Sequence, residues 1–313
     1  PQPEPEPSPE PEPGRDDLLP FRKLVIAGDI QGRNNQVENI FFSDDGTNWT
    51  GKEVPSSLGI DKIQGVAYGN GRYVIVGAPV SVSESENDMA YSDDEGETWI
   101  GLGRKFDTEG KTIVFAEGIF VAGGVNNPRI IYSGDGIQWK EATFTNGSAQ
   151  GTYLIKYLNY TWIASIAGKR FATSPDGINW TYNAISNGEA NASNYPFYNA
   201  FKDLKWDGIQ YIGVGWSKDY PNNQSGTVAR STDLVNWTTH YIGDAYYGVS
   251  SQGLAYGNGT WVAGIRNYNG DNILSYSTDG GLNWTTTPSA GNGINEIEQI
   301  VFFGNRFIAA ERH

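Results

Sequence analysis

The chain has 313 residues, with 22 basic and 36 acidic side chains and a formal net charge of −14. An acidic excess of this size, with no cluster of lysine or arginine, argues against a nucleic-acid partner and an anionic membrane surface. No apolar run approaches the ~20 residues that span a bilayer. Cysteine is absent and histidine occurs twice, at His240 and His313. That excludes disulfides and thiolate metal sites and leaves almost nothing for a multi-histidine centre or a Ser-His-Asp triad, so no metal and no cofactor is expected.

Proline occupies every odd position from 1 to 13, with Glu4, Glu6, Glu10 and Glu12 between. Fixed φ angles and like charges make residues 1–20 an extended, polyproline-type linker without a core. The first residue is Pro1, and the expectation is an upstream domain or anchor joined through this arm.

From Phe21 onward the sequence repeats. A short motif ends in tryptophan six times: Ser43 to Trp49, Ser92 to Trp99, Ser133 to Trp139, Ser174 to Trp180, Ser231 to Trp237 and Ser277 to Trp284. Each carries an aspartate two residues after the serine: Asp45, Asp94, Asp135, Asp176, Asp233 and Asp279. Five of the six also carry a glycine; the copy at 231–237 lacks it. The tryptophans recur about every 47 residues, a spacing that fits a four-stranded propeller blade. A second signature precedes each motif. Two apolar stretches flank a tight polar turn, as in Ala67-Tyr68-Gly69-Asn70-Gly71-Arg72-Tyr73 and Ala255-Tyr256-Gly257-Asn258-Gly259-Thr260-Trp261. Asn-Gly between apolar residues is a hairpin signal, because both turn residues accept positive φ.

One unit therefore reads as strand A, an Asn-Gly-type turn, strand B, a variable loop, strand C ending at the serine, the aspartate turn, and strand D. The fold class expected is all-β, a propeller of such four-stranded blades over residues 21–313. Six blades are favoured and seven are possible, with the ring closed by C-terminal strands. The aspartates have a structural role available to them: a carboxylate accepts N–H groups of its own turn, and the glycine supplies the left-handed conformation. The tryptophans Trp49, Trp99, Trp139, Trp180, Trp237 and Trp284 are expected to pack against the neighbouring blade. Asn-x-Ser/Thr sites at Asn48, Asn179, Asn236 and Asn283 read mainly as part of the same repeat.

These residues resemble the Asp-box, or bacterial neuraminidase repeat. Residues 92–99 match its Ser-x-Asp-x-Gly-x-Thr-Trp pattern in full, and 277–284 match with asparagine for threonine. The resemblance implies β-propeller blades whose boxes are structural. It also raises a sialidase, but the arginine motif of that family has only Phe21-Arg22-Lys23-Leu24 as a counterpart here. The spacing of Arg129, Arg170, Arg230 and Arg266 shows no triad.

The A–B turns and aspartate turns are expected on one face of the disc, and the variable B–C and D–A loops on the other, where binding residues usually sit. Long loops at 183–203, 216–227 and 240–252, with 265–272, hold Tyr195, Tyr198, Trp216, Tyr220, Tyr246, Tyr247 and Tyr268 among short amides and carboxylates. Aromatic faces beside fixed polar groups suit a sugar ring, so these seven are the candidate ligand-binding residues. Loop 78–88, with Glu84, Glu86 and Asp88, reads as a solvated acidic loop. The function read from this pattern is a non-catalytic, extracellular or virion-surface binding module for glycan or protein. The alternatives are a structural component of a virion or other assembly, and a sialidase-like glycosidase.

Overall fold

A computed structural model describes residues 24–27, 40–81, 86–126, 130–145, 151–166, 170–183, 201–216, 226–242, 250–266, 272–287 and 296–312. Apart from one 3-10 turn at Ser56–Leu58, every regular element among them is a strand. The first group is β1 (Leu24–Ala27), β2 (Ile40–Ser43) and β3 (Thr50–Lys52). The second is β4 (Ile60–Gly69), β5 (Arg72–Pro79), β6 (Met89–Ser92) and β7 (Ile100–Gly101). The third is β8 (Glu109–Ala116), β9 (Ile119–Val125), β10 (Ile130–Ser133) and β11 (Lys140–Glu141).

A short strand, β12 (Thr143–Phe144), then crosses to the fourth group. That group is β13 (Thr152–Leu158), β14 (Thr161–Ile166), β15 (Arg170–Ser174) and β16 (Asn179–Asn183). β12 pairs in parallel with β16 and covers its outer edge. The fifth group is β17 (Asp203–Trp206), β18 (Tyr211–Trp216), β19 (Gly226–Ser231) and β20 (Thr238–Ile242). The sixth is β21 (Ser250–Gly257), β22 (Thr260–Arg266), β23 (Asn272–Ser277) and β24 (Thr285–Thr286). The last pair is β25 (Glu296–Phe303) and β26 (Arg306–Arg312). Apart from the β12 pairing, neighbouring strands run antiparallel, and a single pairing, Trp216 with Ser250, links the fifth and sixth groups.

The core lies between groups rather than inside any one sheet. One cluster joins Ile40 and Phe42 of the first group to Tyr73, Ile75 and Trp99 of the second. Another joins Ala116, Val121 and Ile130 of the third to Trp162, Ala172 and Trp180 of the fourth. A sheet with an apolar face must bury it against another sheet, and here each sheet does so against its sequence neighbours. The leading strands β4, β8, β13, β17, β21 and β25 touch one another in that order, which places them innermost.

A cross-strand aromatic pair flanks every inner hairpin: Tyr68–Tyr73, Phe115–Phe120, Tyr157–Trp162, Trp206–Tyr211, Tyr256–Trp261 and Phe302–Phe307, with ring centroids 4.4–5.1 Å apart. Such pairs stabilise a hairpin beyond their area. The inner member also reaches sideways. The Phe115 ring fills the space a side chain would need at Gly69, and the Phe302 ring does so at Gly257. The glycine is required there by the approach of the next group.

The motif tryptophans divide by burial. Trp99 and Trp180 are buried, while Trp49, Trp139, Trp237 and Trp284 are half-buried at the entry to short outer strands. Replacing Trp180 by alanine is expected to cost about 3–5 kcal/mol in urea unfolding. Replacing the half-buried Trp139 removes less surface and should cost clearly less. Equal losses would contradict packing between groups as the source of the effect.

Candidate functional site

Two ends of the sheets are distinguished by what the strands do there. At one end stand the inner hairpin turns and the Ser-x-Asp turns. Each hairpin tip reaches the next group: Asn70 Nδ2 donates to the Gly134 carbonyl at 2.8 Å, and Gln210 Nε2 to the Gly280 carbonyl at 2.8 Å.

In each Ser-x-Asp turn the buried serine hydroxyl is the hub. Ser174 Oγ donates to Asp176 Oδ1 at 2.9 Å and accepts the Gly177 N–H at 2.9 Å. Asp176 Oδ1 also takes the N–H groups of Ile178 and Asn179, and Asn179 Nδ2 donates to Oδ2 at 2.8 Å. The same pattern holds at Asp45, Asp233 and Asp279, and at Asp135 with the backbone N–H groups alone, since Gln138 stands in place of the asparagine. At Asp94 the Thr98 N–H and hydroxyl take the place of asparagine. The amides of Asn48, Asn179, Asn236 and Asn283 are therefore engaged within their own turns. In four turns the tryptophan N–H also closes locally, as Trp180 Nε1 on the Gly177 carbonyl at 3.0 Å, whereas Trp99 Nε1 is buried without a partner. In the turn without glycine, Leu234 holds the left-handed position at φ 62° and buries its side chain beside Phe201 and Tyr211.

These bonds hold the aspartates ionised. The N–H groups of Asn48 and Thr47 bring Asp45 down to about 2, and the Thr98 hydroxyl and N–H do so for Asp94. Asp279 falls to about 2 through Asn283. At Asp176 burial pushes upward, and the bonds from Asn179 outweigh it, again to about 2. Asp135 and Asp233 are lowered by N–H donors as well.

At the opposite end the inner strands break register. β-bulges fall between Ile63 and Gly65, Gly110 and Thr112, Thr152 and Leu154, Ser251 and Leu254, and Ile297 and Gln299. A bulge re-aims a side chain and is over-represented beside functional sites. The residues looped out include Gln64, Lys111 and Tyr153. Lys111 Nζ lies 2.6 Å from Glu109 and 3.1 Å from Gln64 Oε1, and Gln64 Nε2 donates to Glu109. Further round, Lys156 pairs with the largely buried Asp203 at 3.0 Å, and Asp203 also accepts the Leu254 N–H at 3.2 Å. Bonds between inner strands thus form a polar girdle at this level.

Asp88 corrects the reading of loop 78–88 as solvated. It is fully buried and accepts the N–H groups of Lys105 and Phe106 at 2.7–3.0 Å. Burial raises its pKa, opposed by those bonds. It ties the loop between β5 and β6 to the segment leading into β8.

Of the candidate ligand residues, Trp216 ends β18 at the bulge end, where its backbone meets both Gly226 and Ser250. Tyr195, Tyr198, Tyr220, Tyr246, Tyr247 and Tyr268 lie outside the described residues. The strand ends from which 217–225, 243–249 and 267–271 depart share the end of the sheets that carries the bulges. Arg230 is committed to the other end, its Nη1 on the Gly280 carbonyl at 3.2 Å. Among the described residues no three His, Asp or Glu side chains converge as metal ligands, and no helix is long and apolar enough to cross a membrane.

No protein-family model and no curated protein matches the chain. Solved structures do. YCF48 from Cyanidioschyzon merolae is 16% identical, with a TM-score of 0.58, 94% of this chain and 95% of that one covered. YCF48 bound to D1 peptide gives a TM-score of 0.62 at 16% identity, with 94% and 92% covered. The GH74 enzyme of Niastella koreensis gives 0.61 at 14% identity over 90% of this chain and 47% of that one. The extracellular domain of the putative one-component system BT4673 from B. thetaiotaomicron gives 0.60 at 12% identity, with 88% and 35% covered. At these identities the likeness defines the fold. The chain is an all-β protein with the architecture of a β-propeller.

The lowered aspartate values set an acid dependence. A group depressed in the folded state contributes stability above its unfolded pKa and loses it as pH falls through the folded value. The melting temperature should therefore hold between pH 7 and 5 and fall steeply from about pH 4 to pH 2. Asp→Asn substitution at Asp45, Asp94, Asp176 and Asp279 together should lower it at pH 7 and flatten that fall. An unchanged slope in the quadruple variant would contradict the assignment.

Proposed function

We propose that the chain is a non-catalytic binding module whose ligand, a glycan or a protein segment, is taken at the bulge end of the propeller. In this reading residues 21–313 form the propeller and residues 1–20 are the tether that displays it on a cell or virion surface. The six Ser-x-Asp turns are then Asp boxes that serve the fold. The strand groups make a seven-place ring in which β25–β26 stands beside the N-terminal group. Two contacts support that closure: Arg306 Nη1 donates to Thr47 Oγ1 at 2.9 Å, and a side chain at Gly46 would meet Ile308.

The observation that carries the proposal is the coincidence of two features at one end. A polar girdle (the bulge residues Gln64 and Lys111 with Glu109, Lys156 and Asp203) lies at the end where the chain departs into the aromatic-rich segments with Tyr195, Tyr198, Trp216, Tyr220, Tyr246, Tyr247 and Tyr268. A rigid scaffold with variable loops at one end is the usual setting for recognition. That one structural neighbour holds a peptide supports a protein ligand as the second reading. A role as a decoration component of a larger assembly would use the same end. A sialidase-like glycosidase has less support, since Arg230 is engaged at the opposite end.

The full chain should be applied to a broad glycan array beside two variants, Trp216→Ala/Tyr247→Ala and Tyr220→Ala/Tyr268→Ala, each first shown to melt as the parent does. Binding by the parent, lost in either variant, supports the site. Binding retained in both variants places the ligand elsewhere, and binding by none of the three removes the glycan and leaves the protein ligand.

A further inference from the structure

The turn end of the propeller, opposite the end just described, carries a second feature that the fold does not need. In three inner hairpins the second turn residue is glycine at φ 72–78°: Gly71, Gly118 and Gly259. In the fourth group that position is Tyr160, at φ 56°. A bulky side chain in the left-handed region costs of order 1 kcal/mol relative to glycine. Tyr160 recovers nothing from packing, because it is 77% exposed. Strain kept without a structural return points to a use outside the fold.

Tyr160 has apolar company in the same sector. Ile209, in the next inner hairpin, is 76% exposed; Leu282 and Val235, in the Ser-x-Asp turns of the sixth and fifth groups, are 49% and 40% exposed. The stagger of the turn end brings these together in pairs. Each hairpin tip abuts the Ser-x-Asp turn of the following group, as Asn70 does Gly134 and Gln210 does Gly280. By that stagger Tyr160 stands next to the turn of Val235, and Ile209 next to the turn of Leu282. The hairpins of the second and third groups are polar at these positions, Asn70-Gly71 and Glu117-Gly118, as are the turns of the first and second, Thr47 and Glu97; the third and fourth turns carry Ile137 and Ile178, which are half-buried rather than exposed.

Charge selects the occupant. Val235 and Leu282 share their turns with Asp233 and Asp279, and the turn of Tyr160's own group carries Asp176, carboxylates whose turn bonds keep them ionised. The nearby cation, Arg230, is half-buried and bonded to the Gly280 carbonyl. An apolar patch rimmed by carboxylates repels nucleic acid, anionic lipid and the glutamate-rich arm of this chain. It complements lysine or arginine around an aliphatic or aromatic anchor. We propose that Tyr160, Ile209, Val235 and Leu282 form a docking surface on the turn end for a cationic, apolar segment of a partner protein.

The test uses the full chain, the variants Tyr160→Gly and Ile209→Ser/Leu282→Ser, and three immobilised octapeptides alternating Lys-Leu, Lys-Ser and Glu-Leu. The Lys-Leu peptide is expected to bind at least tenfold more tightly than the other two. Each variant should lose at least tenfold of that affinity, and Tyr160→Gly should melt at a higher temperature than the parent. Equal binding of Lys-Ser would reduce the effect to non-specific charge and overturn the proposal. So would unchanged affinity in both variants, or a lower melting temperature for Tyr160→Gly, which would give Tyr160 a place in the fold. Parent self-association in sedimentation, abolished by either variant, would make the occupant a second copy and equally overturn it.

Discussion

A buried serine hydroxyl holds each repeat of this protein together. It accepts an N–H from the left-handed residue of its turn and donates to an aspartate two positions on, as Ser92 does with Gly96 and Asp94. The aspartate in turn gathers the N–H groups that a tight chain reversal would otherwise leave unpaired. Only with that reversal fixed can the tryptophan at its end lie against the preceding group, and the core consists of such contacts between groups. Removing the hydroxyl would leave a buried N–H and a carboxylate short of one donor, a loss of about 1–3 kcal/mol at each turn.

Much of this was legible in the sequence, and what was missed has physical causes. Aspartate, glycine and tryptophan announced the turns because each does something unusual for its type. Serine marked where each motif begins but not its role, since nothing in the sequence says that Ser43 or Ser277 is buried. The aromatic pairs were half visible: Tyr73 and Trp261 led their strands, but Tyr68 and Tyr256 acquire meaning only through the ring across the hairpin and the glycine of the neighbouring group. The bulges at Gln64, Lys111 and Tyr153 left no signal, because a bulge is a mismatch between two registers and a single strand does not contain it. Leu234 shows the opposite case: the pattern seemed to fail for want of glycine, while the turn forms and the leucine side chain offsets its backbone strain by burial. Asp88 was misread because acidic neighbours in sequence suggested solvent, whereas the N–H groups of Lys105 and Phe106 make a buried carboxylate tolerable.

The two ends of the sheets differ in kind. The turn end is repetitive, and its hydrogen bonds run within turns and between adjacent tips. The bulge end is irregular, its inner strands joined by charged, amide and hydroxyl side chains from Gln64 round to Leu254. Trp216 ends β18 at the bulge end, whereas Tyr160 stands at the turn end.

If the aspartates serve their turns, serine and aspartate act as one unit, and a double-mutant cycle at a single turn measures that directly. Ser174→Ala, Asp176→Ala and the double variant would be compared by urea unfolding with the parent chain. A coupling of about 1 kcal/mol or more is expected, because each single change already breaks the shared network. Strictly additive losses would contradict it and free the carboxylate for another role.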